Sequence, residues 1–87
     1  MRFEWNSRKA QANLKEHGVS FEDASTVFAD PHARLRFDYA HSEIEDRFLL
    51  IGFSDKAQLL VVCHCYPSEE VVRIISARKA SRREANF

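Results

Sequence analysis

The residues with the most chemical reach lie near one end of the chain. Arg73, Arg78, Lys79, Arg82 and Arg83 stand against a single acid, Glu84, between Val71 and Phe87, whereas residues 1–70 hold eight basic and twelve acidic side chains. A chain of 87 residues and formal net charge +0 has therefore concentrated its cations in one place. Arginine is always charged and grips a phosphate through two parallel N–H bonds. A helix start adds free N–H groups and a positive dipole end. Ser81 followed by Glu84 is a capping box, which predicts such a start at Ser81. The combination suits a bound phosphate; a solvated basic helix start is the plainer alternative.

Other reactive side chains lie just upstream. His64 titrates in a range suited to passing a proton, as acid or base. It alternates with Leu60 and Val62 on one strand face, which also fits a satisfied core histidine. Cys63 and Cys65 share the opposite face, ~6.6 Å apart along a strand, too far for a relaxed disulfide. With His64 pointing the other way, the three cannot surround one zinc ion, and no metal site is expected. Glu70 sits in a turn, where a solvent-facing carboxylate is the simplest reading. His17 suits a helix C-terminus, and His32 and His41 fall in loops and receive no role.

The pattern predicts which elements carry these residues. Arg2–Trp5 alternates as a short strand. Asn6 caps a helix over Arg8–His17 that presents Ala10 and Leu14 and stops at Gly18. Ser20 caps a second helix with an apolar stripe of Phe21, Ala24 and Phe28, ended by Asp30-Pro31. Ala33–Tyr39 alternates as a half-exposed strand, and His41–Asp46 is an acidic loop with Arg47 beside it. Arg47–Phe53 is a more buried strand with a bulge at Gly52. Gln58–Tyr66 is apolar on both faces and therefore central. A turn at Pro67–Glu70 leads into Val71–Ala77, and a helix from Ser81 closes the chain at Phe87. The order β-α-α-β-β-β-β-α with short turns predicts an α+β domain: an antiparallel meander packed on one face by the first two helices.

Bulk properties bound the rest. Hydrophobic residues make up 45% and charged residues 30% of the chain, enough for one folded domain, 1–87, with a small core. No apolar run reaches membrane-spanning length, and Met1-Arg2-Phe3-Glu4 does not open a signal peptide. Two close cysteines and no export signal point to a reducing cytoplasm. Zero net charge excludes coating nucleic acid by charge alone and confines any such contact to the basic cluster.

Four stretches in order carry a resemblance over nearly the whole chain: Phe3-Glu4-Trp5-Asn6 with Lys9-Ala10 and Asn13-Leu14; His17-Gly18-Val19-Ser20-Phe21-Glu22-Asp23-Ala24; Arg47-Phe48-Leu49-Leu50-Ile51-Gly52; and Arg73 to Glu84. Together the four resemble the BrnT toxins. The resemblance implies a fold similar to the RelE ribonucleases, RNA cleavage that needs neither metal nor cofactor, and inhibition of translation. It implies a partner, a ribbon-helix-helix antitoxin encoded alongside, which neutralises the toxin and through which the complex meets operator DNA.

It also implies roles. Glu70 matches the family's acidic position near the turn and becomes the candidate base. Arg82 or Arg83 matches the arginine of the closing helix, with Arg78 as a further cation for the crowded phosphorane. His64 remains a candidate acid or base, and Arg73 and Lys79 are candidate RNA contacts. No arginine stands at the turn itself, where Tyr66-Pro67-Ser68 replaces it, and the resemblance implies a longer closing helix than this one. A non-catalytic module that docks nucleic acid or protein through the basic stretch is the alternative. Phe37 and Tyr39 are candidate contacts on an exposed strand edge.

Overall fold

The structure is a computed structural model and describes residues 1–86. Phe87, where the closing helix was expected to end, lies outside them. The elements follow the expected order: β1 (Arg2–Glu4), α1 (Ser7–His17), α2 (Phe21–Thr26), β2 (Arg34–Phe37), β3 (Phe48–Phe53), β4 (Leu59–Ser68), β5 (Val71–Lys79) and α3 (Arg82–Ala85). Short 3₁₀ turns follow α2 at Val27–Ala29 and β2 at Tyr39–His41. The latter stops β2 short of Tyr39.

The helix ends form where local chemistry predicts. The Asn6 side chain accepts from the N–H groups of Arg8 and Lys9. Gly18 takes the left-handed conformation that closes α1, with φ 69°. Ser20 accepts from the Asp23 N–H, and the Ser81–Glu84 capping box is complete on both sides.

β2 to β5 form the expected antiparallel meander, with β4 in the middle of the sheet. β1 adds to the outer edge of β5 in parallel, so the strand order is β1-β5-β4-β3-β2. A parallel neighbour needs a long crossover, and nearly the whole chain provides it here. β1 covers β5 only from Val71 to Arg73. Beyond it, Asn13 of α1 takes the place of a strand. Its amide donates to the Ala77 carbonyl at 2.8 Å and accepts from the Ala77 N–H at 3.0 Å, and it also donates to the Val19 carbonyl at 3.0 Å. Asn13, not Leu14, is thus the buried residue of α1; Leu14 is exposed. A buried amide satisfies backbone groups that a leucine would leave unpaired.

The core lies between the sheet and the two N-terminal helices. Val19, Phe21, Ala24 and Val27 pack on Leu50, Leu60, Val62, Val72, Ile74 and Ala77. Gly52 marks close approach rather than the bulge expected there, for the β3–β4 ladder runs through it unbroken. A Cβ at Gly52 would stand 2.7 Å from the Ala33 Cβ and 3.0 Å from an Asp30 carboxylate oxygen. That carboxylate is already engaged: it accepts from the Phe53 N–H at 2.8 Å and the His32 N–H at 2.9 Å. The ladder irregularities fall instead between β4 and β5, at Cys63/His64 and Cys65/Ser68.

Candidate active site

The sheet has a second face that α1 and α2 leave uncovered. Strand alternation sends Leu50, Val62 and His64 under the helices and Leu49, Val61 and Cys63 the other way. On that second face lies a groove of ≈ 300 Å³. Leu49, Val61 and Ile75 give it an apolar floor, and Asp38, His41, Arg47 and Arg78 give it a charged wall, with Cys63 and Ser76 between.

The segment 38–47 holds most of that wall in place. The Asp38 N–H donates to the Arg47 carbonyl at 2.8 Å. The Ser42 hydroxyl donates to the Asp38 carbonyl at 2.6 Å and accepts from the Arg47 N–H at 3.0 Å. The segment is therefore pinned at its neck. Within it the Asp38 carboxylate, almost fully buried, meets His41 Nδ1 at 3.0 Å, while the His41 side chain is 68% exposed. A carboxylate can only accept, so Nδ1 carries the proton of this bond. The neutral ring keeps its lone pair on Nε2.

Arg47 reaches Glu45, in the acidic loop beside it, at 3.4 Å, a loose contact. Its Nε is buried and has no hydrogen-bond partner. Its guanidinium is thus not fully committed to the protein. Arg78 differs. Two of its terminal nitrogens meet the Glu84 carboxylate at 2.7 and 2.8 Å, a fork that ties β5 to α3. Arg78 holds the Glu84 carboxyl down to about 2, with the capping-box bond to Ser81 adding to the effect. Burial pushes the Cys63 thiol up, helped by the Asp38 charge, which keeps it protonated and unsuited to attack.

The other sequence candidates fall elsewhere. His64 is fully buried, edge-on to the Phe28 ring, with Nδ1 3.1 Å from the Val62 carbonyl and Nε2 3.0 Å from the Tyr66 hydroxyl. Burial lowers its affinity for a proton. It is the satisfied core histidine that the strand pattern allowed. Glu70 is exposed at the β4–β5 turn, beside Met1, Arg2 and Ser68. Eight residues of extended strand put it roughly 25 Å from Arg78, so the turn and the helix arginines do not converge. Arg73 pairs with Glu4 across β5 and β1 at 2.7 Å. Lys79, Arg82 and Arg83 are exposed around the start of α3. Asp38, His41 and Arg47 were not singled out as a site. They lie in an irregular loop whose only signal was an acidic run beside one arginine. Among the described residues, no three His, Cys, Asp or Glu side chains gather in a set that could hold a metal ion.

A cationic groove with a carboxylate-held imidazole can bind a phosphodiester and move a proton beside it. Residues 5–84 match the family described as the ribonuclease toxin BrnT of type II toxin–antitoxin systems. The chain belongs to this family. No curated protein matches it. Among solved structures it is similar to the BrnT ribonuclease toxin of Brucella abortus, with a TM-score of 0.74 and 26% sequence identity over 94% of this chain and 99% of that one. BrnT toxins are ribonucleases paired with an antitoxin, so an RNA substrate and an antitoxin partner follow from membership. Among the described residues no helix is long and apolar enough to cross a membrane.

Proposed function

We propose that this chain cleaves RNA in the groove on the sheet face that α1 and α2 leave uncovered, using its own side chains and no metal ion. The observation that carries the reading is the meeting of Arg47 and Arg78 with the Asp38–His41 pair around one apolar floor. Arg47 is the principal contact to the scissile phosphate, because it is the less committed of the two cations. Arg78 adds field while holding α3 through Glu84. Arg82, Arg83 and Lys79, exposed at the same end of β5, lead the RNA backbone toward the groove. Arg73 contributes charge further along the strand. Glu70, distant from the groove, serves at most as a contact on a longer RNA.

A ribbon-helix-helix antitoxin restrains the enzyme in the cytoplasm, and the pair reaches operator DNA only through that antitoxin. The test is cleavage of a short single-stranded RNA by the purified chain in EDTA, with and without the antitoxin encoded beside it. Cleavage that survives EDTA and stops on adding the antitoxin supports the reading. Binding without cleavage, weakened step by step as each arginine is removed, would establish the docking alternative instead.

A further inference from the structure

We propose that His41, oriented by Asp38, is the base that takes the proton from the attacking 2′-hydroxyl. The inference rests on the ribonuclease reading of the groove and goes beyond it by assigning the proton transfer. Three observations carry it. His41 lines the groove that also holds Arg47 and Arg78. Its ring is largely exposed, so a substrate can reach it. Its Nδ1 is bonded to a buried carboxylate at 3.0 Å, which leaves Nε2 with the lone pair that a base requires. His64 offers none of these, since both of its nitrogens are occupied in the core.

Asp38 is the positioning residue. Its backbone is clamped to Arg47 directly and through Ser42, so the carboxylate fixes the ring against the same element that carries the phosphate-binding arginine. In the reaction the 2′-hydroxyl proton passes to Nε2, the 2′-oxygen bonds to phosphorus and the bond from phosphorus to the 5′-oxygen breaks. The 5′-oxygen takes a proton from solvent and the imidazolium returns its proton to solvent. The products are a 2′,3′-cyclic phosphate and a 5′-hydroxyl. Asp38 stabilises the imidazolium between these events without being protonated itself.

The experiment uses the full chain and a short single-stranded RNA, comparing wild type with His41→Ala, His41→Gln and Asp38→Asn. Positioned proton transfer contributes roughly 10²–10⁴-fold to rate. His41→Ala is expected to lower kcat by at least about 100-fold with KM little changed, and added imidazole is expected to restore part of the loss. His41→Gln shows the same loss, since glutamine cannot take the proton. Asp38→Asn loses less, and imidazole does not restore it. The side chain of His41 is exposed, so the two His41 variants are expected to keep the wild-type thermal midpoint. Cleavage by His41→Ala within about threefold of wild type overturns the assignment while leaving the ribonuclease reading intact. So does a loss that imidazole leaves unrepaired. A wild-type chain that does not cleave RNA overturns both.

Discussion

The two faces of the sheet hold a histidine each, and the contrast between them separates folding from chemistry. On the helix-covered face His64 is buried among Phe28, Phe48 and Tyr66, and every ring nitrogen has a partner. On the open face His41 stands largely in solvent with one nitrogen fixed by Asp38. The same side chain is closed to solvent in one place and open to a substrate in the other because of what surrounds it. Arginines divide in the same way. Arg78 is locked to Glu84, whereas Arg47 retains a buried N–H without a partner. Among the described residues, no buried side-chain nitrogen or oxygen on the helix-covered face lacks a hydrogen-bond partner, and that completeness is what a small core requires.

The division is open to direct attack, beginning on the open face. Arg47→Ala removes the least committed cation of the groove and is expected to lower kcat by roughly 10²–10³-fold. Circular dichroism and the thermal midpoint should change little, and a fall in stability as large as the fall in rate would break the comparison. On the covered face the expectation reverses. Asn13→Ala strands the Ala77 N–H and two backbone carbonyls, at about 3 kcal/mol. That corresponds to a midpoint lowered by roughly 10–20 °C, with cleavage per folded molecule unchanged.

Glu84→Gln tests the tie between β5 and α3. The Glu84 carboxyl sits at about 2 when folded, against an ordinary 4.5, so its contribution is full above pH 4.5 and is lost as pH falls toward 2. With Arg78 nearly half exposed and screened, the loss at neutral pH should be about 1–2 kcal/mol. Chemical denaturation of the variant should show a flatter stability profile across that window. The smallest effect belongs to His64. Burial depresses its proton affinity, so the unfolded chain binds a proton more readily below pH 6.5 and stability declines as pH falls from there. His64→Leu should flatten that decline and leave cleavage intact. A loss of cleavage with the fold preserved would put His64 back among the catalytic residues.

Much of the architecture was legible because its causes are local. Asn6, Gly18, Ser20 and Ser81 with Glu84 each act within a turn of helix, and each cap formed where its residue type demands. Alternation in β4 separated Cys63 and Cys65 from His64 correctly, since side chains of a strand change face at every residue. The parallel pairing of β1 with β5 was not legible, for it joins residues nearly seventy positions apart through only three pairs. Leu14 was expected to be buried and Asn13 was not. Apolar spacing cannot show that a strand edge at Ala77 needs an amide.

The candidate site divides along the same line. Arg78 was named from its own type and place. Asp38, His41 and Arg47 were passed over because each is unremarkable until Ser42 folds the segment onto itself. Glu70 was joined to the helix arginines by likeness to a family, and the length of β5 keeps them apart.

By itself, then, the sequence determined the order of elements, the helix ends, the faces of the central strand and the basic closing segment, because these depend on torsional preference and on neighbours within a few residues. Only the tertiary structure decided which charges meet. An ion pair or a held imidazole depends on distances of a few ångströms between segments far apart in the chain, and those distances exist only once the sheet has set its register and the loop has closed over it.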